Sequence, residues 1–224
     1  MGILDRRVNV ICGHYGTGKT NLSINLALDC AKEGYNVTLI DMDVVNPYFR
    51  SSDYADELTK IGVRVLGPNF ANSNLDTPSL PAAIGDAIAD GEKVIIDVGG
   101  DDAGATALGV YRRQLEKAEP EVVYVINKYR SQTTVPDEAI QILSEIENAA
   151  HIKATCIANN SHLKDQTTEE LILESLPFAD RVSEMTGLPI RMTSVTVEVD
   201  PINKIPNMYP ISVFVKAPWE KAGN

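Results

Sequence analysis

The stretch Gly13-His14-Tyr15-Gly16-Thr17-Gly18-Lys19-Thr20 constrains this chain more than any other. It matches G-x-x-x-x-G-K-[ST] in full, and the chemistry of an oligophosphate explains the spacing. Glycines let the backbone curl until successive N–H groups point at one anion. A helix beginning at Gly18–Thr20 adds the positive end of its dipole. The Lys19 ammonium neutralises the outer phosphates, and the Thr20 hydroxyl is placed to ligate Mg2+. The bland alternative is a chance glycine turn. It leaves the context unexplained: the apolar run Val8–Cys12 comes before, and a helix with Leu22, Leu26, Ala27 and Cys30 on one stripe follows.

The same alternation of strand, turn and helix continues. Gly34 ends the first helix, and Val37–Ile40 reads as the next strand. Further strands are expected at Val63–Leu66, Lys93–Asp97, Glu121–Asn127 and Ile152–Asn159, with one or two more within Ile190–Val199. Helices are expected over Pro78–Ala89, Ala103–Lys117, Pro136–Asn148 and Thr168–Met185. Continuous β-branched runs mark strands buried on both faces, hence a mostly parallel sheet flanked by helices on both faces in an α/β domain. No convincing boundary interrupts the pattern, so residues 1–224 read as one domain. In such sheets the ligand lies beyond the carboxyl ends of the strands. Gly13, Asp41, Asp43, Asp97, Asn127 and Asn159 all follow strands.

Composition narrows the partners. Of 224 residues, 44% are apolar and 23% charged, an ordinary globular balance with enough chain for a full core. The formal net charge of −11 repels nucleic acid and anionic lipid on average. No apolar run reaches the ~18 residues of a membrane span. Met1–Arg7 lacks a signal-peptide stretch, and Ala217–Asn224 carries only Lys221 as a base, so no membrane anchor is expected. Cys12, Cys30 and Cys156 form no C-x-x-C pair and read as small core residues of a reduced, cytoplasmic protein.

Two acidic loops stand at strand ends. Asp41-Met-Asp43-Val-Val-Asn46-Pro47-Tyr-Phe-Arg50 follows the second strand, where two carboxylates can reach a Mg2+ shell and an attacking water; a helix cap with an Asn-Pro turn is the plainer alternative. Asp97-Val-Gly-Gly100 follows another strand, where an Asp holds Mg2+ through water and a Gly approaches the γ-phosphate. With the phosphate loop, these segments resemble the deviant P-loop (SIMIBI) ATPases of the MinD/ParA/CobQ/CobB class. That class includes the nitrogenase iron protein and the carbon monoxide dehydrogenase accessory ATPases. The resemblance runs in order along the whole chain, and only the phosphate loop is highly specific.

The resemblance implies a single P-loop NTPase domain that binds and slowly hydrolyses ATP with Mg2+. It implies Lys19, Asp43 and Asp97 as catalytic residues, Asp43 orienting the water. Thr20, Asp41 and Asp97 fall at the metal. Gly13, His14, Tyr15, Gly16, Thr17, Gly18, Lys19, Thr20 and Asn21 line the nucleotide, together with Gly100 at the switch and Asn159 or Asn160 at the adenine. It also implies a nucleotide-dependent homodimer and a protein partner. One departure stands out: the family's second lysine, just after the first loop glycine, is His14 here. Histidine is shorter and mostly neutral near pH 7. The iron protein's cluster cysteines have no counterparts.

Asn127-Lys128-Tyr129-Arg130 is similar to the guanine motif N-K-x-D, but Arg130 has only donors where the motif needs a carboxylate. ATP is therefore favoured over GTP. His151 and His162 read as surface or capping residues, and no histidine cluster has zinc spacing. Three functions stay open beside a small-molecule kinase or ligase on the same fold, whose pocket the Pro68–Pro81 loop could shape. The first is an ATPase switch whose two acidic loops are read by a partner. The second is a nucleotide-holding module with negligible hydrolysis. The third is a GTPase that assists metal-centre assembly.

Overall fold

The computed structural model describes residues 4–43, 51–67, 82–202 and 204–215. Eight strands form one sheet in the order β3-β2-β4-β1-β5-β6-β7-β8, and every neighbouring pair is parallel. They are β1 (Val8–Cys12), β2 (Val37–Met42), β3 (Val63–Leu66), β4 (Lys93–Val98), β5 (Glu121–Ile126), β6 (Cys156–Asn159), β7 (Ile190–Thr196) and β8 (Met208–Ile211). β1, β2 and β4 are buried at every position, as their unbroken apolar runs require of strands covered on both faces.

Alternation along β1 sorts two cores. Val8, Val10 and Cys12 face one layer, and Ile11 faces the other. The first layer packs α3 (Ala82–Asp90), α4 (Asp102–Gly109), α5 (Arg112–Ala118), α6 (Pro136–Ala150) and α7 (Glu169–Thr186), through residues such as Ile88, Leu108, Leu143 and Phe178. The second packs α1 (Lys19–Lys32) and α2 (Ala55–Lys60), and Tyr209 and Ile211 of β8, with Phe214 and Val215 beyond it, join the same layer. Each fully buried Leu or Ile contributes about 1.5–3 kcal/mol before chain entropy is subtracted.

Several boundaries differ from those expected. The helix expected over Ala103–Lys117 is two helices, because the chain turns at Val110. There Gly109 meets the Ala149 carbonyl of α6, and the turn carries Tyr111 into the core while Val110 stays exposed. The strand expected over Ile152–Asn159 begins at Cys156. The third helix starts at Ala82, and residues 78–81 lie outside the described residues. The strand β8 and the helix α2 were not foreseen. Cys12, Cys30 and Cys156 are buried free thiols. No helix among the described residues is long and apolar enough to cross a membrane.

Candidate functional site at the carboxyl ends of β1, β2, β4, β5 and β6

The phosphate-loop residues join β1 to α1. Gly18 sits at φ 88°, and a Cβ there would stand 2.4 Å from Asn160 Nδ2, so only glycine fits. It is also the N-cap of α1 and carries no side-chain cap, leaving the first-turn N–H groups of a 14-residue helix to an external acceptor. Three donors converge on the His14 carbonyl: Thr17 N (3.3 Å), Thr17 Oγ1 (2.8 Å) and Lys19 Nζ (2.9 Å). Lys19 is buried, and burial pulls its ammonium below the usual lysine range, against the pull of Asp97 and Asp43. His14 is half-buried and hydrogen-bonded to Gln132. Burial, then the charge of Lys19, lowers its pKa and keeps it neutral.

Asp41 and Asp97 are direct register partners on the adjacent strands β2 and β4, and both are buried. Asp41 Oδ1 accepts from Asp43 N at 2.9 Å. Asp97 accepts from Ser23 Oγ at 3.4 Å and from Thr20. Burial, then the neighbouring Asp41, pushes Asp97 up to about 7, with Lys19 and Thr20 opposing. Two buried acids and a hydroxyl beside a lysine form a set that a small hard dication completes well. Among the described residues no three His, Cys, Asp or Glu side chains gather at one point. A Mg2+ that takes phosphate and water oxygens does not need such a cluster. The second acidic segment meets the loop directly: a Cβ at Gly100 would fall 2.6 Å from Tyr15 Cα and 3.0 Å from Lys19 Nζ. Asp101 then caps α4 through Gly104 N at 2.9 Å. Asn46, Pro47 and Arg50 of the first acidic segment lie outside the described residues, as do residues 68–81.

The ends of β5 and β6 close the other side. Asn159 spends both ends of its amide within the fold, donating to Ser175 Oγ (2.9 Å) and accepting from Ser161 Oγ (2.7 Å). Asn160 donates to the Thr17 carbonyl at 2.7 Å, and its Oδ1 is buried without a partner. Asn127 accepts from Tyr129 N and donates to the His162 carbonyl. His162 corrects the sequence reading: it is buried rather than superficial, 6% exposed, with burial pushing its pKa down to about 4. Its Nδ1 accepts from Lys164 N, so the proton of the neutral ring sits on Nε2, which faces Gly18 without an acceptor. His151, as expected, ends α6 at the surface.

Asn21 has a contact the sequence did not signal. Its Oδ1 accepts from Phe214 N (2.8 Å) and Val215 N (3.3 Å), and its Nδ2 donates to the Ser212 carbonyl (3.0 Å). Asn25, one turn on, holds Ser212 through its N–H and C=O. A separate polar cleft of about 380 Å3 lies at the opposite end of the sheet. There Arg191 pairs with Asp5 and Glu121, and none of the residues above takes part.

The profile of the CobQ/CobB/MinD/ParA nucleotide binding domain matches residues 10–186. No curated protein sequence matches the chain. Solved structures share the fold. FtsY from Mycoplasma mycoides is 22% identical over 85% of this chain and 60% of that one, with a TM-score of 0.57. Cell division protein FtsY from Thermotoga maritima is 23% identical over 86% and 62%, at 0.56. The signal recognition particle 54 kDa protein from Aeropyrum pernix, in complex with GDP, is 20% identical over 86% and 43%, at 0.54. The chain spans less than two thirds of the length of these proteins.

Proposed function

The chain belongs to the family of CobQ/CobB/MinD/ParA nucleotide-binding domains, and from that membership we propose that it is a Mg2+-dependent, ATP-hydrolysing switch acting on a partner protein. The observation that supports this most is the register pairing of Asp41 with Asp97, beside Thr20 and Lys19. Buried carboxylates in contact cost stability. A site that holds a cation and an anion together gives them a use.

Bound Mg2+ and nucleotide supply a Lewis acid and a labile phosphoanhydride. The chain's own residues do the rest. Loop N–H groups from Gly13 to Asn21 orient the phosphate chain, and Lys19 turns from the His14 carbonyl to neutralise it. Thr20, Asp41 and Asp97 would hold the metal. Asp43 orients the attacking water. Gly100, already against the loop, moves with the outer phosphate and carries the change to α4. Asn160 Oδ1, an unpartnered buried acceptor, suits the exocyclic amine of adenine; Asn159 positions the loop through Ser161 and Ser175.

A homodimer formed on nucleotide binding, with His14 near the contact, completes the reading. The buried free thiols accord with a cytoplasmic setting. A second reading, a GTPase, draws on the fold shared with FtsY and with the GDP-bound 54 kDa protein. Against it, Arg130 offers no acceptor to guanine. Competition binding decides the base: GTP is expected to be no better than ATP, and a tenfold preference for GTP moves the protein to the second reading. Phosphate release decides the activity. It is expected to be slow and to fall at least about a hundredfold in Asp43→Asn, the lower end for a positioned base. Equal rates in both proteins would leave a nucleotide-holding module.

A further inference from the structure

The β5–α6 loop carries a cation that the roles above do not use. Its backbone is held in a small knot. Arg130 N donates to the Asn127 carbonyl (3.2 Å), and the Arg130 carbonyl accepts from Thr133 N (3.1 Å) and Thr133 Oγ1 (3.2 Å). Thr133 Oγ1 also bonds the Asn127 carbonyl at 2.8 Å, and Gln132 reaches His14. The loop therefore fixes where the Arg130 side chain starts.

That side chain lies on the phosphate loop. A Cβ built at Gly16 would stand 3.7 Å from both Arg130 Cδ and Nε, and 4.0 Å from Cζ. The Nε–H is buried and has no acceptor. Among the described residues no carboxylate pairs with this guanidinium; Arg6, Arg112, Arg181 and Arg191 each pair with one, Arg7 bonds the Gly91 and Ile88 carbonyls, and Arg64 and Arg113, for which no such pair is seen either, are exposed. Lys128, two residues before, is turned away to the Glu174 carbonyl. A buried guanidinium N–H without an acceptor is costly, and the group has no neutral form to retreat to.

The charges around the loop show what the guanidinium is for. The charge of Arg130 helps to hold His162 neutral, and His14 is neutral too. Beside Lys19, Arg130 is the cation that lies against the loop itself, at Gly16, while Lys164 acts with it on His162. We infer that Arg130 is a second phosphate-binding cation of this site, donated from the same chain, and that its ligand is the anionic chain of a nucleoside di- or triphosphate. It stands in for the charge that His14 does not bring. The inference rests on the loop being a nucleotide site, as proposed above. A guanidinium presents Nε–H and Nη–H as a planar fork that suits two phosphate oxygens at once. A lysine at 130 keeps the charge and loses the fork.

The experiment is calorimetric titration of ATP, ADP and AMP into wild type, Arg130→Ala, Arg130→Lys and Lys19→Ala, at low and high salt. Thermal melts of the unliganded proteins control for folding. Arg130→Ala is expected to weaken ATP about ten- to a hundredfold, the span of a charge-assisted contact. The loss is larger for ATP and ADP than for AMP, shrinks at high salt, and is partly restored in Arg130→Lys. The Arg130→Ala protein melts no lower than wild type. Wild-type affinity in Arg130→Ala, with binding lost in Lys19→Ala, would overturn this inference and leave the nucleotide site standing. Equal losses for all three nucleotides, unmoved by salt, would overturn it as well by making Arg130 a structural support. Wild-type affinity in Lys19→Ala removes the nucleotide site itself, and this inference with it.

Discussion

Replacing Asp97 with Asn is expected to stabilise the unliganded protein at neutral pH while it destroys the metal site. Asp97 is 3% exposed, and its folded pKa is pushed from 3.8 up to about 7 by burial and by Asp41. A raised acid works against the usual carboxylate trend. Below the unfolded value both states hold the proton, and nothing is lost. Between 3.8 and about 7 the unfolded chain has released the proton and the native state has not, so stability falls as pH rises. At ~1.4 kcal/mol per unit, the ionised form costs on the order of 4 kcal/mol above pH 7, with the attraction of Lys19 already included. An Asn at 97 carries no charge to bury. It keeps one acceptor oxygen where the carboxylate has two, so the bonds from Ser23 and Thr20 must share it. That sharing takes back about 1–2 kcal/mol.

The net expectation is a gain of about 2 kcal/mol at pH 8, shrinking to a loss of about 1–2 kcal/mol near pH 4. Urea unfolding followed by circular dichroism measures this in EDTA, without nucleotide, at three or four pH values. A variant no more stable than wild type at pH 8 would refute the cost assigned to the buried pair. So would a gain that is the same at pH 5 and pH 8. Titration of Mg2+ into the nucleotide complex completes the trade: the variant should have lost most of its metal affinity.

Three further outcomes follow from contacts already described. Asn25→Ala removes the side chain that holds Ser212 by both backbone groups, and should cost about 1–3 kcal/mol in urea unfolding, with nucleotide affinity changed less than threefold. Gly100→Ala places a methyl group against Tyr15 Cα at 2.6 Å and so drives the loop after β4 off the phosphate loop; phosphate release should fall about a hundredfold or more, one displaced transition-state donor, while ADP still binds. His14→Lys restores full positive charge beside the loop and should strengthen dimerisation with a non-hydrolysable ATP analogue; sedimentation velocity showing a monomer at tens of micromolar, in wild type and variant alike, would sink the dimer.

The sequence shows this site well where one short segment carries the whole requirement. Gly13 to Thr20 is such a segment, since the curl, the helix start, the lysine and the hydroxyl are all local. Asp41 and Asp97 could be placed at strand ends from apolar runs alone, yet their contact depends on β2 lying beside β4, which no local pattern encodes. His162 is a lone histidine in sequence, and its burial comes from packing beside Gly18. The strand β8 escaped because it has four residues, includes Pro210 and alternates exposed with buried, as an edge strand does. The turn at Val110 has no proline to announce it. It is imposed by α6, where the backbone leaves room for Gly109 and little more.

The charge of the whole molecule and the charge of the site run in opposite directions. A chain of net charge −11 has no general affinity for a polyphosphate, so any attraction must be local. The positive end of α1 is fixed by the fold, but it is spent within about one turn. Lys19 is already offset by Asp97 and Asp43. Beyond what a bound Mg2+ neutralises, an anion with two or more charges is held more tightly by a further cation close to the loop, and two imidazoles held neutral by burial do not provide it. Arg130 does, from a loop whose backbone is pinned before any ligand binds. That loop also reaches His14 through Gln132, so the segment that carries Arg130 touches the phosphate loop at a second point.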